Sequence, residues 1–236
     1  MLFSRKKKET PMTKLYGVPL SVHTRKALLA LKIKRIEFDL VPVVPVAPNT
    51  LPPNWKEISP TGLIPALQDG DFTLADSTAI ILYLDRKKPD PALLPPSDQQ
   101  FARAMFLDAW VGGEIFRKIV HPLFFEKVVN PGMRNTPTNQ EVVGRIMNAD
   151  APAAFSWLDG QLKGDFLVDN RLTIADIAVI SNLTTFHYVG GRIDARKYPR
   201  LAAYFRKHAS SPVVAEAIGA EKPFTDQLGL DRSWIG

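Results

Sequence analysis

The sequence predicts an α/β unit followed by an all-α unit, and three observations carry that expectation. Strand, helix and strand patterns succeed one another between Lys14 and Val41, an order that implies a parallel pair with a crossover helix. The stretch Gly62–Leu84, GLIPALQDGDFTLADSTAIILYL, reads as a β-hairpin feeding a helix. Beyond the proline-rich segment Lys87–Pro96 the strand signals vanish. The expected organisation is a basic, disordered extension over 1–11, an α/β domain over 12–88, a linker over 89–98 and an all-helical domain over 99–236.

Each element has a local cause. Lys14-Leu15-Tyr16-Gly17 is a short strand broken by Gly17-Val18-Pro19. A helix begins at Ser21, with Thr24, Ala27, Leu28 and Leu31 at i, i+3, i+4 and i+7. Ile36–Val41 is the second strand. Pro42–Pro53 is proline-rich and reads as mostly extended, and Trp55–Ile58 as one helical turn. Pro65 lacks an N–H and suits the start of a strand, here Ala66-Leu67-Gln68. Asp69-Gly70 is the turn, Phe72-Thr73-Leu74 the returning strand, and Asp76-Ser77 the start of a helix that buries Ile80, Ile81 and Leu84.

In the second half, Gln99–Val120 places Phe106, Ala109, Trp110, Gly113 and Phe116 on one helical face, and the small residues Gly112 and Gly113 suggest close approach by another helix or a ligand. A further helix spans about Thr138 to Leu162. Thr173 and Asp176 have capping-box spacing, and Leu172 and Ile177 hold the positions of a hydrophobic staple. Ile177–Ile180 is apolar on all sides, which marks a central helix. Tyr198-Pro199 and Ser211-Pro212 mark two more helix starts.

Composition excludes several chemistries. The 236 residues contain no cysteine, so disulfides, thiolate metal sites and a cysteine nucleophile are ruled out. His23, His121, His187 and His208 show no metal-ligand spacing, so no metal site is expected. Net charge is +6, part of it from Arg5, Lys6, Lys7 and Lys8, and the remainder is ordinary for a soluble domain. No apolar run is long enough to span a membrane. Neither a nucleic-acid nor a membrane partner is expected, and the expected location is cytoplasmic.

The block Ile64-Pro65 with Asp76-Ser77 resembles the end of the thioredoxin-like domain of glutathione S-transferases. The segment FLVDNRLTIADI resembles the capping segment of that family's helical domain. Tyr16-Gly17-Val18-Pro19-Leu20-Ser21 with Thr24-Arg25 is similar to the serine-type classes, most closely the phi class. The resemblance spans about residues 13–220 and implies a thioredoxin-like N-terminal domain, an all-α C-terminal domain and a homodimer. It also implies glutathione as co-substrate and a hydrophobic electrophile as its partner. Pro65 would be cis, Ile64 would pair its backbone with the cysteinyl part of glutathione, and Asp76 and Ser77 would hold the γ-glutamyl end.

Ser21 has two readings. By position it is an N-cap; by resemblance it donates to the glutathione thiolate, and that reading is preferred. Tyr16, at the end of the first strand, is the rival donor. The loop after the second strand lacks Lys and Arg, leaving Lys56 as the candidate for the glycyl carboxylate. Trp110, Gly113, Phe116 and His121 are the candidates to line the second-substrate site, with Phe124, Phe125 and His187 behind them. The expected activity is conjugation of glutathione to hydrophobic electrophiles, that is, detoxification. Reductive cleavage, dehalogenation or peroxide reduction at the same site is the first alternative, and a non-catalytic binding module of the same fold the second.

Overall fold

The computed structural model of the chain describes residues 13–235. The expected basic extension over 1–11 lies outside them. Four strands form one sheet in the order β2-β1-β3-β4: β1 (Thr13–Tyr16), β2 (Phe38–Val41), β3 (Ala66–Asp69) and β4 (Phe72–Ala75). β1 and β2 are parallel, and β1–β3 and β3–β4 are antiparallel. The crossover helix α1 (Val22–Ile33) is buried almost throughout, because it packs on the sheet side and on the helical domain at once. The short helix α2 (Trp55–Ile58) covers the other side, where Trp55 and Ile58 join Tyr16, Val43 and Ala66 in a small second core.

The hairpin differs from its expected register by one residue. Asp69 pairs with Phe72, so Gly70 and Asp71 are the two turn residues. Only Gly70 of these has positive φ, +62°, as a glycine-first two-residue turn requires. The loop before α2 is less extended than its prolines suggest. Thr50 gathers it by accepting from Val44 N at 2.8 Å and donating to the carbonyls of Val44 and Ala47.

Helix α3 (Ser77–Lys87) follows the hairpin. The segment after it is held firmly despite its prolines. The buried Lys34 ammonium donates to the carbonyls of Lys88 and Pro91 at 2.7 and 3.0 Å and pairs with Asp85 at 2.6 Å. Leu93, fully buried, accepts from Ile174 N and ties this segment to the helical domain.

The rest is helical: α4 (98–133), α5 (140–161), α6 (Ile174–Tyr188), α7 (Pro199–Ala209), α8 (Pro212–Ala220) and α9 (Lys222–Gln227). Within α4 the buried face is Ala104, Leu107, Asp108, Val111, Ile115 and Ile119. The row of Phe106, Ala109, Trp110, Gly113 and Phe116 runs beside that face, with Phe106 exposed. A Cβ at Gly112 or Gly113 would meet no neighbour within 4 Å among the described residues, so none of them packs closely there. Every residue of α6 is buried, as its apolar run implies.

The start of α6 is set by Asp176. Its Oδ2 accepts from Thr173 N at 2.8 Å and Thr173 Oγ1 at 2.9 Å, and its Oδ1 from Leu167 N at 3.0 Å and Tyr204 Oη at 2.9 Å. Thr173 closes the capping box in return. Burial pushes the Asp176 carboxyl up from its usual range, opposed by these donors.

Asp176→Ala strands several buried donors at a cost of ~1–3 kcal/mol each, so a loss of at least ~3 kcal/mol is expected in urea melts. Tyr204→Phe, which removes one donor only, is expected to lose ~1 kcal/mol. A normal midpoint for Asp176→Ala would show that the network does not set the helix start.

Candidate functional site

The loop between β1 and α1 brings the first group into place. Gly17 sits at φ +151°, and a Cβ there would lie 2.4 Å from Thr24 Oγ1, so only glycine permits this approach of loop and helix. Ser21 is the N-cap of α1, and its Oγ accepts from Thr24 N at 3.3 Å. A hydroxyl that accepts keeps its hydrogen to donate, so capping and a donor role coexist. Tyr16 is differently employed. Its hydroxyl donates to Gln68 at 2.6 Å, its ring packs beside Trp55, and burial raises its pKa.

The second group comes from the hairpin and α3. The Ile64–Pro65 bond is cis, and Pro65 is buried directly before β3. Asp76 is the N-cap of α3 at φ +81°, a region L residues adopt at a cost of ~1–3 kcal/mol. Its Oδ1 accepts from Thr78 N and Ala79 N at 2.9 and 3.0 Å. Its Oδ2 has no partner among the described residues, and the side chain is exposed. Ser77, the first helical residue, is buried at 2% exposure. Its N–H is one of the donors a helix start leaves over. Its Oγ lies 3.3 Å from His23 Nδ1. Lys56 is exposed on α2 with its ammonium beside Gly62, in the loop leading to Pro65.

Of these groups, Ser21, His23 and Ile64 border an apolar cavity of about 510 Å³ between the domains. Ser21, His23 and Ile64 line it from the α/β domain, Phe116, His121, Phe124 and Phe125 from α4, and Phe224 and Leu228 from the C-terminal end. Among the described residues no Asp, Glu, Lys or Arg lines it; the polar ones are Ser21, His23, His121, Thr185 and Gln227. His23 stands edge-on to Phe116 at 4.4 Å, and His121 lies over Phe125 at 4.5 Å. Burial, helped by the nearby Lys26 charge, lowers the His23 pKa to about 4; burial also lowers that of His121.

Ser21, Ile64, Phe116 and His121 therefore line one cavity, and Asp76, Ser77 and Lys56 stand on the elements around it. Trp110 and Gly113 do not join them. Trp110 stacks on Trp157 at 4.0 Å and borders a separate cavity between α4 and α5. The reason is helical phase: Trp110 sits on the flank of α4 that faces α5. His187 also lies elsewhere, 4.5 Å over Phe205 near the C-terminal segment. The sequence reading missed His23, the wall Val44-Pro45-Val46 and the C-terminal Phe224 to Leu228. The available signal for the wall was an apolar loop without charges. His23 had only its place in the first turn of α1.

Two buried ion pairs hold the site's halves together. Arg25 binds both oxygens of Glu221, at 2.5 and 2.9 Å. Lys26 reaches Asp108 at 2.6 Å, and Thr78 donates to the other Asp108 oxygen at 2.6 Å. Among the described residues no cluster of His, Asp and Glu is arranged to hold a metal, and no helix is long and apolar enough to cross a membrane.

Comparison with known proteins gives the family. The model of the glutathione S-transferase N-terminal domain matches residues 15–92, and that of the C-terminal domain residues 140–207. A glutathione S-transferase of Triticum aestivum is 28% identical over 213 residues, covering 89% of this chain and 94% of the wheat protein. Glutathione S-transferase theta-1 of Bos taurus is 32% identical over 194 residues, covering 80% and 79%. A solved glutathione transferase homologue from Drosophila mojavensis, with bound glutathione, matches at TM-score 0.78 and 24% identity over 92% of this chain and 96% of that one. Plant phi-class proteins are among the relatives and the fold neighbours. The chain belongs to the glutathione S-transferase family, a family of transferase enzymes.

The imidazoles predict a pH dependence. Burial lowers both His23 and His187 from 6.5 to about 4. The unfolded chain takes up these protons at higher pH than the folded one, so stability falls as pH drops from 6.5 to 4 and levels off below. Each group contributes on the order of 2–3 kcal/mol to that fall. His187→Phe keeps the stack on Phe205 and is expected to remove about half of the fall. Urea melts at pH 7 and 4 in both proteins check this; equal falls would refute it.

Proposed function

We propose that this protein joins glutathione to a bulky, uncharged hydrophobic electrophile, with Ser21 stabilising the glutathione thiolate. The observation that carries the proposal is the placement of Ser21: a hydroxyl with its hydrogen free, at the N-terminus of α1, on the edge of an uncharged apolar cavity. The thiolate is the nucleophile of such a reaction. A hydrogen bond to a charged group contributes ~1.5–3 kcal/mol and a helix N-terminus ~0.3–1 kcal/mol. At ~1.4 kcal/mol per pKa unit, Ser21 and its helix lower a bound thiol by about one to two units.

The co-substrate's groups find matching partners. Asp76 offers a free, exposed carboxylate oxygen to the γ-glutamyl ammonium. Ser77 offers a helix-start N–H and a hydroxyl to the neighbouring carboxylate. The Ile64 backbone, beside cis-Pro65, is the partner for the cysteinyl part, and Lys56 the nearest cation for the glycyl carboxylate. Phe116 and His121, with Phe124 and Phe125, hold the electrophile against Ser21. The absence of charge among the described lining residues favours neutral electrophiles over anionic ones, because a buried unpaired ion is costly. Two copies pairing as a cytoplasmic homodimer belong to the same proposal.

Reductive cleavage, dehalogenation and peroxide reduction use the same first site, and a substrate panel separates them. The binding-module reading rests on the β2–α2 loop, whose Val44-Pro45-Val46 brings no cation to the site. Glutathione affinity discriminates it.

Calorimetry should give micromolar-to-millimolar glutathione affinity, weakened about tenfold or more by Asp76→Ala. Ser21→Ala should keep that affinity within about threefold and lower turnover of a neutral aromatic electrophile about ten- to hundredfold. Unchanged turnover with a lower melting temperature would reduce Ser21 to a helix cap.

A further inference from the structure

The contact between His23 and Ser77 is not absorbed by the reaction proposed above. Ser77 is almost fully buried at the first position of α3, and His23 is its side-chain hydrogen-bond partner among the described residues. A serine hydroxyl has one hydrogen to give and two lone pairs to receive. Where that hydrogen points depends on His23. If Nδ1 is the acceptor, the Ser77 hydrogen is spent on the imidazole. If Nδ1 carries the proton, it donates to Ser77 Oγ, and the Ser77 hydrogen is free to point elsewhere.

A carboxylate ligand decides between the two, since it can only accept. The Ser77 N–H and the capped start of α3 already favour an anion at this point. His23 itself lines the apolar cavity, with its ring fixed edge-on to Phe116 at 4.4 Å. That contact limits the rotation of the ring, so Nδ1 stays directed at Ser77. Its neighbours are Lys26, Asp76, Asp108 and His121, and burial keeps the imidazole neutral at pH 7, with one donor and one acceptor nitrogen.

We propose that His23 is a positioning residue for the γ-glutamyl carboxylate of glutathione: its Nδ1–H donates to Ser77 Oγ and turns the Ser77 O–H towards that carboxylate. This rests on the glutathione-binding reading given above. It adds a residue from α1 to a subsite otherwise made by α3 alone, and so couples ligand binding to the helix that begins at Ser21. The same ring walls the cavity, so His23 borders both the Ser77 subsite and the apolar space beside Ser21.

The test is calorimetry with two ligands, glutathione and the analogue whose γ-glutamyl α-carboxylate is converted to the amide. The proteins are the parent, His23→Phe, Ser77→Ala and the double variant, with melting curves to confirm folding. Phenylalanine keeps the ring against Phe116 and removes both nitrogens. His23→Phe should weaken glutathione about five- to tenfold, affect the amide less than about twofold, and cost nothing further once Ser77 is alanine. His23→Gln, which retains a donor amide, should recover part of the loss. Equal losses for both ligands, or additive losses in the double variant, would overturn the positioning role while leaving glutathione binding intact. Failure of the parent to bind glutathione would overturn both readings. If His23→Phe does not fold, His23→Gln must still show the loss confined to the carboxylate ligand at Ser77, or the role is rejected.

Discussion

The buried pair of Arg25 and Glu221 is the interaction on which the rest of the molecule depends. Arg25 leaves α1 four residues after Ser21 and is 1% exposed. It binds both oxygens of Glu221, the Ser181 carbonyl at 2.6 Å, the Thr185 hydroxyl at 3.0 Å and the Leu20 carbonyl at 3.3 Å. Two charges out of water are tolerable only when their remaining bonds are met, and the planar guanidinium meets them in three directions. Losing one member of such a pair costs ~3–5 kcal/mol, because the other remains buried and unpaired. The geometry links three things: the C-terminal end that closes the cavity, the central helix α6, and the carbonyl beside Ser21. This one side chain thus ties the C-terminal wall of the cavity to the loop beside Ser21, alongside the Lys26–Asp108 pair that ties α1 to α4.

Around that anchor the site is made mostly of helix starts. Ser21 opens α1, and Asp76 and Ser77 open α3. Their backbone donors and dipoles supply positive potential without a formal charge. The cationic side chains of α1 are used elsewhere: Arg25, Lys26 and Lys32 tie the two domains, and Lys34, just past the helix end, fastens the segment between them. On the proposed reading, such a pocket lowers a bound thiol's pKa yet stays apolar enough for a hydrophobic second substrate. Asp108 completes this division of labour, since on α4 it takes up Lys26 and Thr78 together and keeps that ammonium from the cavity.

What was legible in the sequence was local. The hairpin glycine, the Asp76 cap and the Thr173–Asp176 box are decided by residues within four positions of one another, and they form as expected. Even there the turn settled one residue later than Asp-Gly suggested, because pairing Asp69 with Phe72 leaves Gly70 as the residue with positive φ. The cavity was legible only in part. Its walls come from residues as distant as Val44, Phe116 and Leu228, and no local pattern encodes their meeting. Trp110 was misplaced because an aromatic row and an aliphatic row run side by side on α4, and the aliphatic one, with Asp108, is buried. His23 was passed over because a single imidazole in a helix's first turn announces nothing until the opposing serine is known.

The most direct test of the central claim is an ultraviolet titration of the glutathione thiol bound to the parent protein. The expected midpoint is about one to two units below that of free glutathione, measured in the same buffer. A bound thiol that titrates with the free midpoint would contradict it, since the helix start at Ser21 would then hold the ligand without activating it.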